Sequence, residues 1–265
     1  MKPAANRTGI FMISVLIMLA LPSEALAVQE KTYTVSIKND QVFLNGKQLS
    51  KSVSKKSCPV LSPDKKKIAF KCTGKEGIVQ IGTVDTGTKT EKLIKIDRQF
   101  DQIMNIQWLS NRRIGIEVHI NPSLDSFQIY DAVSGKNIKG YYGYGFLFNK
   151  TKSNVIYMSA PPHFSSQLGE YAVMLDDAVL YRTDRKTALD SLLYPTKSFE
   201  KVAFYEYIIE EESKPKSNIV RLTIESNKVK SKRKIAWNKD MSPLKWDNED
   251  LLSIGDIARY DMKKL

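Results

Sequence analysis

Short alternations of apolar and polar residues recur along the chain and predict β-strands. In residues 33–38 (YTVSIK) and 41–44 (QVFL), apolar side chains alternate with polar ones, the period of a strand with one buried face. Asn39-Asp40 and Asn45-Gly46 follow these two runs and are typical of tight hairpin turns. The best helical candidate, residues 187–193, is long enough for one or two turns. The pattern therefore predicts an all-β chain built from hairpins.

The segment from Cys58 to Cys72 is the clearest hairpin. Pro63-Asp64 provides turn chemistry between its two predicted strands, because proline presets φ and aspartate bonds to nearby backbone. A turn centred on residues 64–65 would place Cys58 directly opposite Cys72. That register suits a cross-strand disulfide in an oxidising compartment, and two unpaired buried thiols are the alternative.

The hairpins repeat in pairs along the chain. The equivalent apolar anchors are spaced by 46, 41, 47 and 49 residues, and they are Ile68, Ile114, Val155, Val202 and Leu251. Four short strands with a period of about 40–50 residues are typical of propeller blades. We expect residues 28–265 to form a single β-propeller domain of four-stranded antiparallel blades, five in number or six. The N-terminal strands could instead complete the last blade.

Residues 61–70 (LSPDKKKIAF) resemble the TolB-type, WD40-like propeller repeat, W-S-P-D-G-K-x-I-A-F. Residues 108–116 and 246–254 look like degenerate copies of it. Leu61 stands where the repeat usually has tryptophan, and Lys65 where it usually has glycine. The resemblance implies a rigid interaction platform outside the cytoplasm, and such propellers also occur as non-catalytic domains attached to hydrolases.

The N-terminus has the three parts of a secretory signal. Lys2 and Arg7 precede an apolar run at residues 10–21, and 25–27 (ALA) is a small-x-small cleavage site. The apolar run is shorter than the roughly 20 residues that span a bilayer. We expect residues 1–27 to be removed near Ala27 and the mature protein to be secreted, periplasmic or associated with the cell wall. An uncleaved N-terminal anchor is the alternative.

The formal net charge is +12, which favours contact with anionic surfaces. The lysines are spread among several turns, however, and a solvated lysine-rich surface explains the same charge. The expected partner is a protein or an anionic envelope polymer, with peripheral membrane contact as a further option and no specific nucleic acid. The oligomeric state is left open.

The sequence contains no recognisable catalytic or cofactor motif, so we expect no cofactor and no metal. His119 and His163 have no metal-ligand spacing, and no catalytic residue is assigned. The alternative is a secreted, glycosidase-like hydrolase that uses carboxylates at the propeller axis. The candidate acids for that reaction are Asp131, Asp176, Asp177 and Asp184.

An aromatic segment at residues 140–146 (GYYGYGF) is the most unusual local feature. If its glycines form an irregular loop, the exposed rings would make a binding surface; the alternative is a strand with glycines at a bulge. A second loop at residues 160–164 could line the same face. The predicted binding residues are Tyr141, Tyr142, Tyr144, Phe146 and His163. The predicted function is an exported, non-catalytic binding or scaffolding module.

Overall fold

The computed structural model of the chain describes residues 32–74, 77–96, 100, 102–121, 124–159, 171–183, 187–208, 217–237, 241–248, 250–255 and 258–261. All of the described strands lie in one compact unit, Thr34–Leu265. The expected signal at residues 1–27 and the expected loop at 160–164 lie outside the described residues. Within the described ranges, no helix is long and apolar enough to cross a membrane.

The described elements are antiparallel strands that follow the chain from sheet to sheet. Sheet A contains β1 (Val35–Lys38), β2 (Gln41–Leu44) and β3 (Lys47–Gln48). Sheet B contains β4 (Lys55–Leu61), β5 (Lys67–Thr73), β6 (Val79–Asp85) and β7 (Glu91–Lys95). Sheet C contains β8 (Gln102–Trp108), β9 (Arg113–Asn121), β10 (Leu124–Asp131) and the first half of β11 (Asn137–Phe148).

The second half of β11 begins the next sheet, so that sheets C and D are joined. Sheet D continues with β12 (Val155–Ser159), β13 (Ala172–Leu175) and β14 (Ala178–Arg182). Sheet E contains β15 (Thr187–Pro195), β16 (Lys201–Ile208), β17 (Ser217–Glu225) and β18 (Lys228–Trp237). Sheet F contains β19 (Leu244–Trp246), β20 (Leu251–Ile254) and β21 (Ala258–Asp261).

Tight turns with positive φ join neighbouring strands, as the sequence predicts. Asn39 and Asp40 have φ of 48° and 59°, and Asn45 and Gly46 have φ of 49° and 77°. Two successive positive φ angles define the hairpin turn whose twist matches the flanking strands. These predicted hairpins are confirmed.

Successive sheets pack face to face, and each pair encloses its own apolar cluster. The first strands of neighbouring sheets also meet, since β4 contacts β8, β11 contacts β15, and β15 contacts β19. The pairs of buried residues that share a cluster across the five interfaces are Val42 and Phe70, Ile81 and Trp108, Phe127 and Tyr157, Met158 and Phe204, and Tyr205 and Leu252. This arrangement of antiparallel meanders is a β-propeller, and the predicted fold class is confirmed. The number of blades stays a prediction.

The anchors of the repeat occupy equivalent positions, with one exception. In each sheet from B to F, a backbone hydrogen bond closes the turn before the second strand, and the next residue is an apolar anchor. The bond accepted by the carbonyl of Leu251 makes Leu252 the fifth anchor rather than the predicted Leu251. Leu252 is fully buried, whereas Leu251 is half-buried.

The structure decides two local questions that the sequence raises. The helical candidate at residues 187–193 is wrong: the segment is part of strand β15, and Leu189 and Leu193 pack in the sheet D–sheet E cluster. The aromatic segment 140–146 is part of β11, with a register irregularity between Tyr144 and Leu147, so the strand alternative holds and the irregular loop does not.

The predicted register, with Cys58 directly opposite Cys72, is wrong. Lys56 stands opposite Cys72, and the register shifts between Ser57 and Val60. Cys58 lies in that bulge with φ of 51° and is exposed, whereas Cys72 is buried; both are free thiols. The turn pairs Leu61 with Ile68, a register that would align Cys58 with Lys71 rather than Cys72, and the bulge adds one further residue of offset.

Candidate functional site: a cleft between sheets C and D

Strand β11 forms the joint between sheets C and D. It pairs with β10 up to Gly143 and with β12 from Tyr144 onward. Gly143 has φ of 153°, and a Cβ atom there would lie 2.0 Å from the carbonyl oxygen of Met158. The close approach and the backbone conformation both require glycine at this position.

A cleft of about 1100 Å³ opens between the two joined sheets. Its walls come from the turns before β9, β12 and β14 and from strands β10 and β11. The lining is part apolar and part polar. Its members are Leu109, Ser110, Asn111, Arg112, Arg113, Ile129, Asp131, Ile138, Lys139, Tyr141, Phe148, Thr151, Lys152, Ser153, Val155, Asp176 and Asp177.

Several polar contacts hold the cleft together across sheets C and D. The ammonium of Lys139 lies 2.7 Å from a carboxylate oxygen of Asp177 and 4.8 Å from the ring centre of Tyr141. The hydrogen bond to Asp177 raises the pKa of Lys139, so this ammonium stays charged at neutral pH. Lys152 donates a 2.7 Å hydrogen bond to the carbonyl oxygen of Trp108. These contacts link the two walls of the cleft.

The first of the three acids in the cleft holds a turn. Asp131 accepts hydrogen bonds from the backbone amides of Ser134 and Val133 at 2.6 and 3.0 Å, and Arg112 lies 3.0 Å away. The amide of Ser134 is the main cause, and with Val133 and Arg112 it lowers the pKa of Asp131 to about 2. Asp131 is therefore ionised at neutral pH and cannot donate a proton there.

The other two acids are engaged in the same wall. Asp176 accepts a 2.6 Å hydrogen bond from the side-chain amide of Asn154 and a 3.0 Å bond from the backbone amide of Val155. The hydroxyl of Tyr141 lies 3.5 Å from Oδ1 of Asp176, the oxygen that accepts the bond from Val155. Asp177 pairs with Lys139. The cleft thus brings together three of the acids that the sequence indicated, each with a structural partner.

The predicted binding residues separate in the structure. Tyr141 is buried and lines the cleft, whereas Tyr142 is 50% exposed and lies outside its lining. Tyr144 packs against the sheet D–sheet E cluster, and Phe146 stacks on Tyr157 with ring centres 5.3 Å apart. His163 and Asp184 lie outside the described residues. The structure therefore brings Tyr141 together with Asp131, Asp176 and Asp177.

Sequence reasoning missed most of the cleft, including Arg112, Lys139 and Ile138. It also missed Glu117, whose pKa is raised mainly by burial and further by the charge of Asp125. Asp125 lies 2.8 Å from Nδ1 of His119. Within the described ranges, no group of three or more histidine, cysteine or acidic side chains could hold a metal ion.

No family model and no curated protein matches the chain. Among solved structures, a dipeptidyl aminopeptidase IV from Bacteroides ovatus gives a TM-score of 0.48 at 11% identity, covering 74% of this chain. The chain spans 38% of the length of that peptidase.

Two further structures are similar to most of the chain. The β-propeller domain of the Trilobed protease from Pyrococcus furiosus gives a TM-score of 0.39 at 15% identity, over 81% of this chain and 76% of that one. A TolB protein from Agrobacterium tumefaciens gives a TM-score of 0.38 at 13% identity, over 80% of this chain and 81% of that one. The named proteins include peptidases and TolB, and a shared fold does not define an activity.

Proposed function

We propose that this protein is an exported, non-catalytic binding or scaffolding module. Its ligand, a protein segment or a cell-envelope polymer, occupies the cleft between sheets C and D. The observation that carries the proposal is that each of the three described acids in the cleft has a structural partner. Asp131 and Asp176 accept hydrogen bonds from amides, and Asp177 forms an ion pair with Lys139. A glycosidase needs one acid that keeps its proton near neutral pH, and the pKa of Asp131 is about 2.

The lining of the cleft favours recognition of an extended ligand. Ile138, which is 48% exposed, and the partly exposed Phe148 supply apolar surface, and the hydroxyls of Ser110, Thr151 and Ser153 supply polar contacts. Binding sites combine apolar area with a few placed polar groups in this way. The cross-sheet ion pair and hydrogen bond link the two walls, which reduces the ordering entropy lost when a ligand enters.

Export is proposed from the signal pattern of residues 1–27 and would bring the protein to a partner outside the cytoplasm. Without the two basic residues and one acidic residue of that segment, the net charge of +12 becomes +11, which favours an anionic partner. The hydrolase alternative keeps three acids in one cleft, but their partners compete with any catalytic role.

The experiment is an affinity capture from host envelope extract with residues 28–265, run across a salt series. Retention of one partner at high salt supports the proposal, since a cleft ligand is held by contacts that salt does not screen. Binding that disappears as salt rises indicates charge alone. Turnover of envelope glycans or peptides by the pure protein would contradict the non-catalytic assignment.

A further inference from the structure

Two arginines interrupt the apolar face that sheet E presents to sheet F. Tyr205, Ile219 and Ile235 lie in or against the apolar cluster between these sheets. Arg221 follows Ile219 by two residues on β17 and therefore lies on the same face. Arg233 of β18 stands directly opposite Arg221. The two guanidinium groups thus continue a row of positions that is otherwise apolar.

The two guanidinium groups form an unfavourable pair. Like charges directly opposite each other on neighbouring strands destabilise a sheet. Arg221 is 7% exposed, so water screens its charge poorly. Burial and then the charge of Arg233 lower the pKa of Arg221, although Asp250 acts in the opposite direction. An anion beside the pair would relieve both the burial cost and the repulsion.

One N–H group of the pair is unsatisfied. Nη1 of Arg233 is buried, and no atom of the described residues accepts a hydrogen bond from it. A buried donor without an acceptor costs free energy, and in a native protein a water, an ion or a ligand commonly explains such a group. A water would satisfy the N–H but would leave the charge of the pair unchanged. An anion would do both.

The described charges around the pair are mostly positive. Lys201 begins β16 and lies 2.8 Å from a carboxylate oxygen of Asp250. Within the described part of the chain, this patch has three basic side chains, Lys201, Arg221 and Arg233, and the carboxylate that acts on them is Asp250. Three positive charges and one negative charge leave an excess of two.

Two hydroxyl groups lie on the same face, one step along the strands. Thr223 of β17 stands opposite Lys201 on one side and Ser231 on the other. Successive residues on one face of a strand are about 7 Å apart, so these hydroxyls and the long arginine side chains can reach one ligand. Guanidinium forks and hydroxyl groups are the donors that recognise phosphate oxygens.

We propose that Arg221 and Arg233, with Thr223 and Ser231, form a binding site for a phosphate monoester. A dianion there would accept the hydrogen bond from Nη1 of Arg233 and offset the excess of two positive charges, whereas one carboxylate would offset half of it. Because Ser231 is exposed and Arg233 is half-buried, the molecule that carries the phosphate can extend into solvent beside β18. This site faces sheet F and does not use the cleft between sheets C and D.

The test measures thermal unfolding of the protein in phosphate-free buffer and with increasing glycerol 3-phosphate, inorganic phosphate or acetate. Chloride keeps the ionic strength equal throughout. Arg233→Gln removes one guanidinium fork, and Arg233→Lys keeps the charge without the fork. Arg182→Gln is the matched control, because Arg182 is an exposed arginine on β14, the end strand of sheet D.

We expect glycerol 3-phosphate to raise the unfolding midpoint of the wild type, because a ligand of the folded state stabilises it, and acetate to raise it less. The apparent affinity should fall by about tenfold or more in Arg233→Gln, since a charge-assisted hydrogen bond is lost. It should fall less in Arg233→Lys and stay unchanged in Arg182→Gln. Without phosphate, Arg233→Gln should be at least as stable as the wild type, because it removes the like-charge pair.

Four results would overturn the proposal. A wild-type midpoint that responds to glycerol 3-phosphate no more than to chloride would exclude the site. An equal loss of affinity in Arg182→Gln would show that net charge explains the binding. Stabilisation by inorganic phosphate but not by the monoester would show a closed site for the free ion. A large loss of stability in Arg233→Gln without phosphate would give this guanidinium a structural role instead.

Discussion

The indole Nε1 of Trp108 donates a 2.9 Å hydrogen bond to the carbonyl oxygen of Val60 in the preceding sheet. Trp246 makes the same bond, at 2.8 Å, to the carbonyl of Tyr194. The partners are 48 and 52 residues apart, close to one repeat. The tryptophans of the two degenerate repeat copies therefore connect neighbouring sheets.

Trp108→Phe should destabilise the protein by about 1–3 kcal/mol, because it leaves a part-buried carbonyl without its donor. Trp108 is 2% exposed. Trp246→Phe should cost less, since Trp246 is half-buried and water can replace its bond. The measurement is the free energy of unfolding in urea. An equal or larger loss for Trp246→Phe would contradict this explanation.

Gly143→Ala should destabilise the protein by about 3 kcal/mol or more, because the new Cβ would collide with backbone rather than with a movable side chain. Gly46→Ala is the matched control: its φ is 77°, but no atom lies within 4 Å of the new Cβ. Its cost should be about 1–2 kcal/mol, from the left-handed conformation alone. Thermal unfolding of both variants checks the difference, and equal losses would contradict the proposed clash.

The sequence predicts the fold better than the site. Hairpins such as the one at Asn45-Gly46 depend on local turn chemistry, and the anchors from Ile68 to Val202 depend on burial, so both can be read from the chain. The register of Cys58 could not be predicted, because it depends on the residues that the turn pairs and on a bulge. The cleft also could not be predicted, because it arises where β11 continues from sheet C into sheet D. The sequence indicates Asp131 and Asp176 as separate candidates, but their proximity in the cleft is set by the tertiary structure.

Asp131→Asn should reduce the dependence of the free energy of unfolding on pH between pH 2 and 5. The folded pKa of Asp131 is about 2, below its ordinary unfolded value of about 3.9. Because the folded-state pKa is lowered, the stabilisation is present above about pH 4 and is lost as pH falls toward 2. Urea unfolding between pH 2 and 5 measures this slope. An unchanged slope in the variant would show that other carboxyl groups account for it.

Tyr181→Phe should destabilise the protein by about 1–3 kcal/mol, because its hydroxyl donates to the buried carboxylate of Glu206. Lys234 would remain as a donor to that carboxylate. Tyr142→Phe is the control, since Tyr142 is 50% exposed, and its effect should lie within about 0.5 kcal/mol. Comparable losses for the two variants, measured by urea unfolding, would rule out a special role for the Tyr181–Glu206 contact.

The most direct test of the account is the effect of Ile138→Asp on capture of the envelope partner. Ile138 lines the cleft and is 48% exposed, whereas Leu93 on β7 is 47% exposed and lies outside the lining. Both aspartate variants should fold, and they change the net charge equally. Ile138→Asp should abolish salt-resistant capture, whereas Leu93→Asp should retain it. Undiminished capture by Ile138→Asp would contradict the assignment of the cleft as the binding site.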